Sequence, residues 1–188
     1  FSLAGKKAIV TGGAKKTGLC YGMAVALHDA GAEIVILDAN SQVENTVAEL
    51  GGAKSGYHAV VANLLDLNDL SNGFQQAISA LGGRLDILVN GAGLQYRCPS
   101  EEFPEDAWDR IMGVNIKGVF FMSQLAGKVM LKQGKGKIIN IASTNSFIGL
   151  RNMPAYVSSK GGVKQLTMAL SSEWSGRGIN VNAIAPGY

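Results

Sequence analysis

The feature that most constrains this chain is an alternation sustained from one end to the other, in which short aliphatic and β-branched runs are separated by longer stretches of helical periodicity. The runs are Ala8-Ile9-Val10, Ile34-Val35-Ile36-Leu37, 58–62, Ile87-Leu88-Val89, 138–141 and 181–185. They are largely apolar on both alternating faces, as parallel strands covered above and below must be. Helical patterns fall at 18–30, 41–50, 67–81, 106–132 and 155–175, with Gly31 placed to end the first. Strand-helix alternation of this kind builds βαβ units around a parallel sheet. With right-handed crossovers the result is an α/β, doubly wound sheet of six strands, order 3-2-1-4-5-6, with helices on both faces. Ligands bind beyond the carboxyl ends of such strands, so functional residues are expected just after strands.

Composition removes other classes. A chain of 188 residues that is 47% apolar supports one full core, and no linker, repeat or low-complexity tract divides it, so residues 1–188 are expected to form one domain. The net charge of +3 is spread over seventeen basic and fourteen acidic side chains without a like-charge run, so neither nucleic acid nor a membrane surface is an expected partner. The densest basic group, Lys132, Lys135 and Lys137, lies in a Gly-interrupted turn and reads as a solvated loop. Cys20 and Cys98 are too few for a disulfide framework and lack metal-ligand spacing, which fits a reducing cytoplasm. No apolar run has the length of a membrane span, and no signal-peptide pattern opens the chain. A first residue other than Met, and an end directly after an apolar strand, suggest part of a longer product.

Several segments carry chemistry. Thr11-Gly12-Gly13-Ala14-Lys15-Lys16-Thr17-Gly18 joins the first strand to the first helix, where glycines let a pyrophosphate approach the backbone and the helix N-terminus. Asp38 ends the second strand, where a carboxylate can accept both ribose hydroxyls of an adenosine and would repel a 2′-phosphate, favouring NAD. In isolation such an Asp more often only begins a turn. Asn90-Gly91-Ala92-Gly93 follows the fourth strand at the centre of the sheet, and its glycines let the chain pass tightly under a flat ring. Tyr156 and Lys160 stand one turn apart on one helix face just after Pro154. A tyrosine used as acid and base needs a nearby cation that favours the phenolate, and Lys160 is placed to supply it. That spacing is common by chance. Ser143, thirteen residues upstream and directly after the fifth strand, adds a hydroxyl able to donate to a substrate oxygen. Asn115 is polar within an apolar helical stretch; it either faces solvent or is buried with partners, for which a site water would serve.

In this order the segments resemble the short-chain dehydrogenase/reductase family over essentially the whole chain. The family pattern TGxxxGxG falls on Thr11 through Gly18, NNAG on Asn90 through Gly93, and the Asn, Ser, Tyr and Lys of the tetrad on Asn115, Ser143, Tyr156 and Lys160. Residues 180–187 look like the segment after strand six, whose Pro186-Gly187 turn borders the nicotinamide. The resemblance implies a Rossmann-like fold and hydride transfer between a secondary alcohol carbon and NAD or NADP. Tyr156 would exchange the hydroxyl proton, Ser143 polarise the carbonyl oxygen, Lys160 hold the nicotinamide ribose and act on Tyr156, and Asn115 anchor a relay water. The cofactor would lie against Gly12, Lys16, Thr17, Gly18, Asp38, Asn63, Asn90, Gly91, Ala92, Gly93, Tyr156, Lys160, Pro186 and Gly187. Within the family, 1–6, 119–124, 137–143 and 182–188 are similar to the branch of gluconate 5-dehydrogenase and 2-dehydro-3-deoxygluconate (2-deoxygluconate 3-) dehydrogenase. That branch implies a sugar acid or polyol as substrate and a homodimer or homotetramer. Arg97 and Arg151 are then the cations placed for a bidentate carboxylate pair, with Gln95, Asn145 and Ser146 for hydroxyls.

The chain also departs from the pattern. Lys16 stands in place of the middle glycine, where it could donate to a phosphate or obstruct one. Lys15 resembles the basic residue of NADP-preferring members and conflicts with Asp38; Asp38 weighs more, because a loop lysine can swing into solvent. Gly91 replaces the second Asn of NNAG, and Asn63 stands where members often carry an Asp that contacts the adenine amine. Members run to roughly 250 residues, so substrate-binding helices and a seventh strand are expected beyond Tyr188. Two further readings stay open: reduction of a 3-oxoacyl thioester by the same tetrad, and a non-catalytic dinucleotide sensor or scaffold, motivated by Lys16 and the short C-terminal end.

Overall fold

The computed structural model describes residues 2–187. Strands and helices alternate as β1 (Lys7–Thr11), α1 (Leu19–Asp29), β2 (Glu33–Asp38), α2 (Gln42–Glu49), β3 (Tyr57–Val61), α3 (Leu67–Ala80) and β4 (Ile87–Asn90). The second half runs α4 (Glu105–Met112), α5 (Val119–Gln133), β5 (Gly136–Ile141), α6 (Pro154–Trp174) and β6 (Ile179–Ile184). The six strands form one parallel sheet in the expected order β3-β2-β1-β4-β5-β6. At its centre Val10 lies between Ile36 of β2 and Val89 of β4.

Alternate strand residues feed two cores. Ala8, Val10, Ile34, Ile36 and Val89 pack under α1 and α2 with Ala24, Val43 and Val47. Ile9, Val35, Leu37, Leu88 and Ile138 pack under α3, α5 and α6 with Phe74, Met122, Met130, Leu170 and Trp174. Because both faces are covered, the period-2 signal of a half-exposed strand disappears and the sequence reads as continuous apolar runs. From β1 the chain winds outward to β2 and β3, then α3 carries it back to β4 on the other flank of β1. The carboxyl ends of β1 and β4 are therefore where the loops part and a crevice opens.

One expected helix differs. The stretch read as a single helix over 106–132 contains a π-helical segment, Gly113–Gly118, between α4 and α5. A π turn takes up an extra residue without ending the helix. It also lets the backbone ride close to the loop after β3: a Cβ on Gly113 would come within 2.6 Å of Leu65 Cδ2, and one on Gly118 within 3.1 Å of Leu64 Cβ. Every strand but β4 begins one or two residues before its apolar run, β5 and β6 by two, where Gly136 pairs with Ile179. Among the described residues no helix is long and apolar enough to cross a membrane. Nor do three or more His, Cys, Asp or Glu side chains gather into a metal site there.

Candidate active site

Beyond β5 the chain turns at Ser143 into a short 3-10 turn, Thr144–Ser146. Ser143 is 7% exposed, and its Oγ accepts from the Asn145 N–H at 3.1 Å. Helix α6 then starts at Pro154, whose missing N–H costs nothing in a first turn. This start puts Tyr156 in the first turn and Lys160 in the next, on the same face. Lys160 is buried; its Nζ donates to Ile141 O at the end of β5 and lies 5.8 Å from the centroid of the Tyr156 ring. Ser146 Oγ donates to the Lys160 carbonyl at 2.7 Å and accepts from the Ser143 N–H at 3.3 Å. Helix and strand end are thus stapled at two points. Burial pushes the Lys160 ammonium down from 10.5 to about 8, with Cys20 pulling weakly the other way, so the group stays cationic at neutral pH.

Asn115 lies inside the π segment and is fully buried. Its Oδ1 accepts from Leu94 N at 2.7 Å, while Nδ2 donates to Leu94 O at 2.9 Å and to Ser159 Oγ at 3.1 Å. Both amide hydrogens are therefore engaged, and the side chain clamps the loop after β4 to α6. Asn115 and Lys160 converge beneath Gly93, where a Cβ would stand 3.5 Å from Asn115 Oδ1 and 3.9 Å from Lys160 Nζ.

Two cavities open along the crevice. One, of about 390 Å³, is lined by Gly91, Gly93, Ser143, Tyr156, Lys160, Pro186 and Gly187, together with Gln95, Arg97 and Asn145. The other, of about 320 Å³, is lined by Gly12, Asp38, Asn63 and Ala92 with Leu37, Leu64, Leu65, Arg110 and Val114. They share Gly93 and Leu94, so they are two ends of one trough. An extended, two-headed ligand such as a dinucleotide fits it: apolar walls for a flat base at one end, a carboxylate beside them, and hydroxyl, phenol and ammonium at the other. Gly12 permits this closeness, since its φ is +76° and a Cβ there would come within 2.8 Å of the Ala92 backbone. Asp38 is held by its own surroundings: Oδ2 accepts from Gly13 N at 2.8 Å and Ala14 N at 3.0 Å, and Oδ1 from Asn40 N at 2.9 Å. Asn63 Oδ1 likewise accepts from Leu65 N at 3.0 Å.

Some residues assigned from sequence lie elsewhere. Asn90 turns into the core, donating through Nδ2 to Ser123 Oγ and Asn140 Oδ1, both at 2.9 Å, while its buried Oδ1 has no partner. It underpins the trough and lines neither cavity. Thr17 and Gly18 are exposed and also line neither cavity, and Lys16 is ion-paired with Glu49 of α2. Arg97 reaches the first cavity; Arg151 is exposed on the turn before α6 and does not. At Gly91 a Cβ would meet Cys20 Sγ at 2.4 Å, so the thiol occupies the room that an Asn side chain would need. Arg110, Val114, Leu64 and Leu65 were not expected at the site. Val114 adjoins Asn115 and Arg110 lies one helical turn before it, which is the only sequence signal they give.

The short chain dehydrogenase family model matches residues 6–188. The 2-dehydro-3-deoxy-D-gluconate 5-dehydrogenase of Escherichia coli (strain K12) is 44% identical over 189 residues, which cover 100% of this chain and 73% of that protein. The gluconate 5-dehydrogenase of Gluconobacter oxydans (strain 621H) is 36% identical over 195 residues, covering 100% of this chain and 73% of that protein. The crystal structure of a gluconate 5-dehydrogenase from Burkholderia cenocepacia J2315 in complex with NADP and tartrate matches with a TM-score of 0.91 at 34% identity, covering 100% of this chain and 72% of that one. With its trough at the parting of β1 and β4, and Ser143, Tyr156 and Lys160 gathered along one wall, the chain belongs to the short-chain dehydrogenase family of NAD(P)-dependent oxidoreductases.

Proposed function

We propose that this chain interconverts a secondary alcohol and a ketone on a sugar acid or polyol, with NAD as the preferred dinucleotide. The observation that carries this reading is that Ser143, Tyr156 and Lys160 share one cavity with Arg97. When bound, the nicotinamide takes or gives the hydride; the protein's part is to hold the reactants and move a proton. Tyr156 exchanges that proton with the substrate oxygen. Ser143 supports the same oxygen: its lone pair already serves Asn145 N–H, so its own hydrogen is free to donate. Lys160 sets a positive charge beside the phenol, the sign that steadies an oxygen losing its proton, and two of its hydrogens remain for ribose hydroxyls after Ile141 O takes one. Asn115 fixes the loop after β4, and a water relay would use the remaining lone pair of its Oδ1.

Gly12, Asp38, Asn63 and Ala92 would hold the adenosine half, and Gly91, Gly93, Pro186 and Gly187 the nicotinamide half. The preference for NAD rests on the Asp38 carboxylate in the wall of the adenosine cavity, which disfavours a 2′-phosphate. Arg97 would receive the substrate carboxylate, with Gln95 and Asn145 for hydroxyls. The names of the relatives support a sugar acid over a 3-oxoacyl thioester. A reducing cytoplasm and a homo-oligomer complete the reading.

The test is a panel of gluconate, 2-deoxygluconate and an acyl thioester with each dinucleotide, run on the chain and on Tyr156→Phe. Turnover on a sugar acid that falls by about 10²–10⁴-fold in Tyr156→Phe, with NAD affinity nearly intact, is the expected result. Activity on the thioester alone would remove the sugar-acid reading. Binding without turnover in the wild type would favour the sensor instead.

A further inference from the structure

Ser146 stands where the exit of β5 meets α6, and it touches two of the reacting residues at once. Both backbone groups of Ser143 are bonded to it: Ser146 N donates to Ser143 O at 2.9 Å, and Ser146 Oγ accepts from Ser143 N at 3.3 Å. The single hydroxyl hydrogen goes to Lys160 O at 2.7 Å. A carbonyl has two lone pairs and the helix ladder uses one, so this bond forms without breaking α6. Lys160 is thereby held at both ends. Its ammonium donates to Ile141 O, its carbonyl accepts from Ser146, and both anchors belong to the stretch 141–146 that leaves the sheet. Tyr156 is tied separately, its carbonyl accepting from Ser159 Oγ at 2.8 Å while Ser159 takes Asn115 Nδ2. The sequence offers Ser146 for substrate hydroxyls, but it lines neither cavity and its hydrogen is already engaged on Lys160.

We infer that Ser146 is a positioning residue, whose hydroxyl fixes Ser143 and Lys160 relative to one another and so sets where the substrate oxygen meets the cofactor ribose. This rests on the reading above, in which Ser143, Tyr156 and Lys160 carry out the reaction. Reacting groups displaced by a fraction of an ångström lose rate while the substrate still binds, so the contribution of Ser146 falls on kcat.

The experiment compares Ser146→Ala and Ser146→Thr with the wild type in steady-state turnover of a sugar acid, with Thr167→Val as control. Thr167 Oγ1 accepts from Asn140 Nδ2 at 2.9 Å, a buried tie between α6 and β5 that lines neither cavity. Ser146→Ala should lower kcat by about 10–100-fold with KM nearly unchanged. Ser146→Thr keeps the hydroxyl and should restore most of that loss. Thr167→Val should lower the melting temperature and leave kcat near the wild-type value. A second readout needs no turnover: NMR titration of the Lys160 side chain, which burial holds at about 8 with Cys20 and Tyr156 facing the ammonium. In Ser146→Ala that value should rise toward 10.5 as the ammonium loses its fixed place, and in Thr167→Val it should not move. A raised KM at constant kcat in Ser146→Ala would make Ser146 a substrate contact and overturn the inference. Equal losses of kcat in Ser146→Ala and Thr167→Val, or a Lys160 titration unmoved in Ser146→Ala, would overturn it as well. A wild type that turns over no sugar acid overturns the proposed substrate instead, and the Lys160 titration still decides the coupling.

Discussion

Lys160 shows at the scale of one residue what this site costs the fold. The residue is 5% exposed, its ammonium has a single backbone acceptor, and burial lowers its pKa from 10.5 to about 8. The unfolded chain therefore binds more protons than the folded one between pH 8 and 10.5, so the charge destabilises the protein below pH 8 and that penalty fades as pH rises through the window. Lys160→Met keeps the volume and removes the charge, at the expense of leaving Ile141 O without its donor. The variant should lose nearly all turnover yet be more stable than the wild type at pH 7 by about 1–2 kcal/mol. Urea denaturation at pH 7 and pH 10 checks both halves: the gap should narrow at the higher pH. A less stable variant at pH 7 would mean that the bond to Ile141 outweighs the buried charge.

At the scale of elements, what the sequence shows and what it hides divide along the line between local and non-local contacts. The alternation of strands and helices and the placement of Ser143, Tyr156 and Lys160 are legible because each depends on a local pattern, a strand end or spacing within one helix. The π segment is not. Val114, Val119 and Met122 keep the apolar helical pattern across it, and its cause is the approach of Gly113 and Gly118 to Leu64 and Leu65, some fifty residues earlier. Asn115 stands out as a polar residue, but its partners on Leu94 and Ser159 belong to a loop and another helix. The orientation of Asn90 is written in the strand pattern. Leu88 and Asn90 share a face of β4, so the Asn must point with Leu88 into the core beneath α5 and α6, where Ser123 and Asn140 meet it. The clamp role gives Asn115→Ala a definite outcome. It strands the Leu94 amide and carbonyl, leaves the Ser159 hydroxyl only the bond it donates to Tyr156 O, and should lower stability by about 2–4 kcal/mol together with turnover. Thermal unfolding and a steady-state assay on the same preparation would show both losses; an unchanged melting temperature would remove the clamp.

Over the whole molecule, the two ends of the sheet carry different burdens. The carboxyl ends hold the trough, and the amino ends hold ties between elements. Lys7 of β1 pairs with Glu33 of β2 in register, and His58 of β3 reaches the other Glu33 oxygen at 2.8 Å. Asp86 accepts from Lys7 N at 3.0 Å and from Arg84 Nη2 at 2.8 Å, while Gln133 at the end of α5 brackets the Leu85 backbone at 3.1 and 2.7 Å. None of these side chains lines either cavity. The hydrogen bond from Lys7, with the smaller one from His58, holds the Glu33 carboxyl below its ordinary 4.5 in spite of partial burial. A lowered carboxyl contributes stability that is complete above the unfolded value and is lost as pH falls through the folded one. Glu33→Gln should therefore cost about 0.5–1 kcal/mol at pH 7, and the gap to the wild type should stay level down to about pH 4.5 and close below it. Dinucleotide affinity and turnover should not change, since the substitution lies at the far end of β2 from Asp38. Denaturant midpoints from pH 7 to pH 3, beside a cofactor titration at pH 7, separate the two ends. A shift in NAD affinity would mean that the amino-terminal ties reach the trough through β2, and that stability and function in this sheet are not divided by strand polarity.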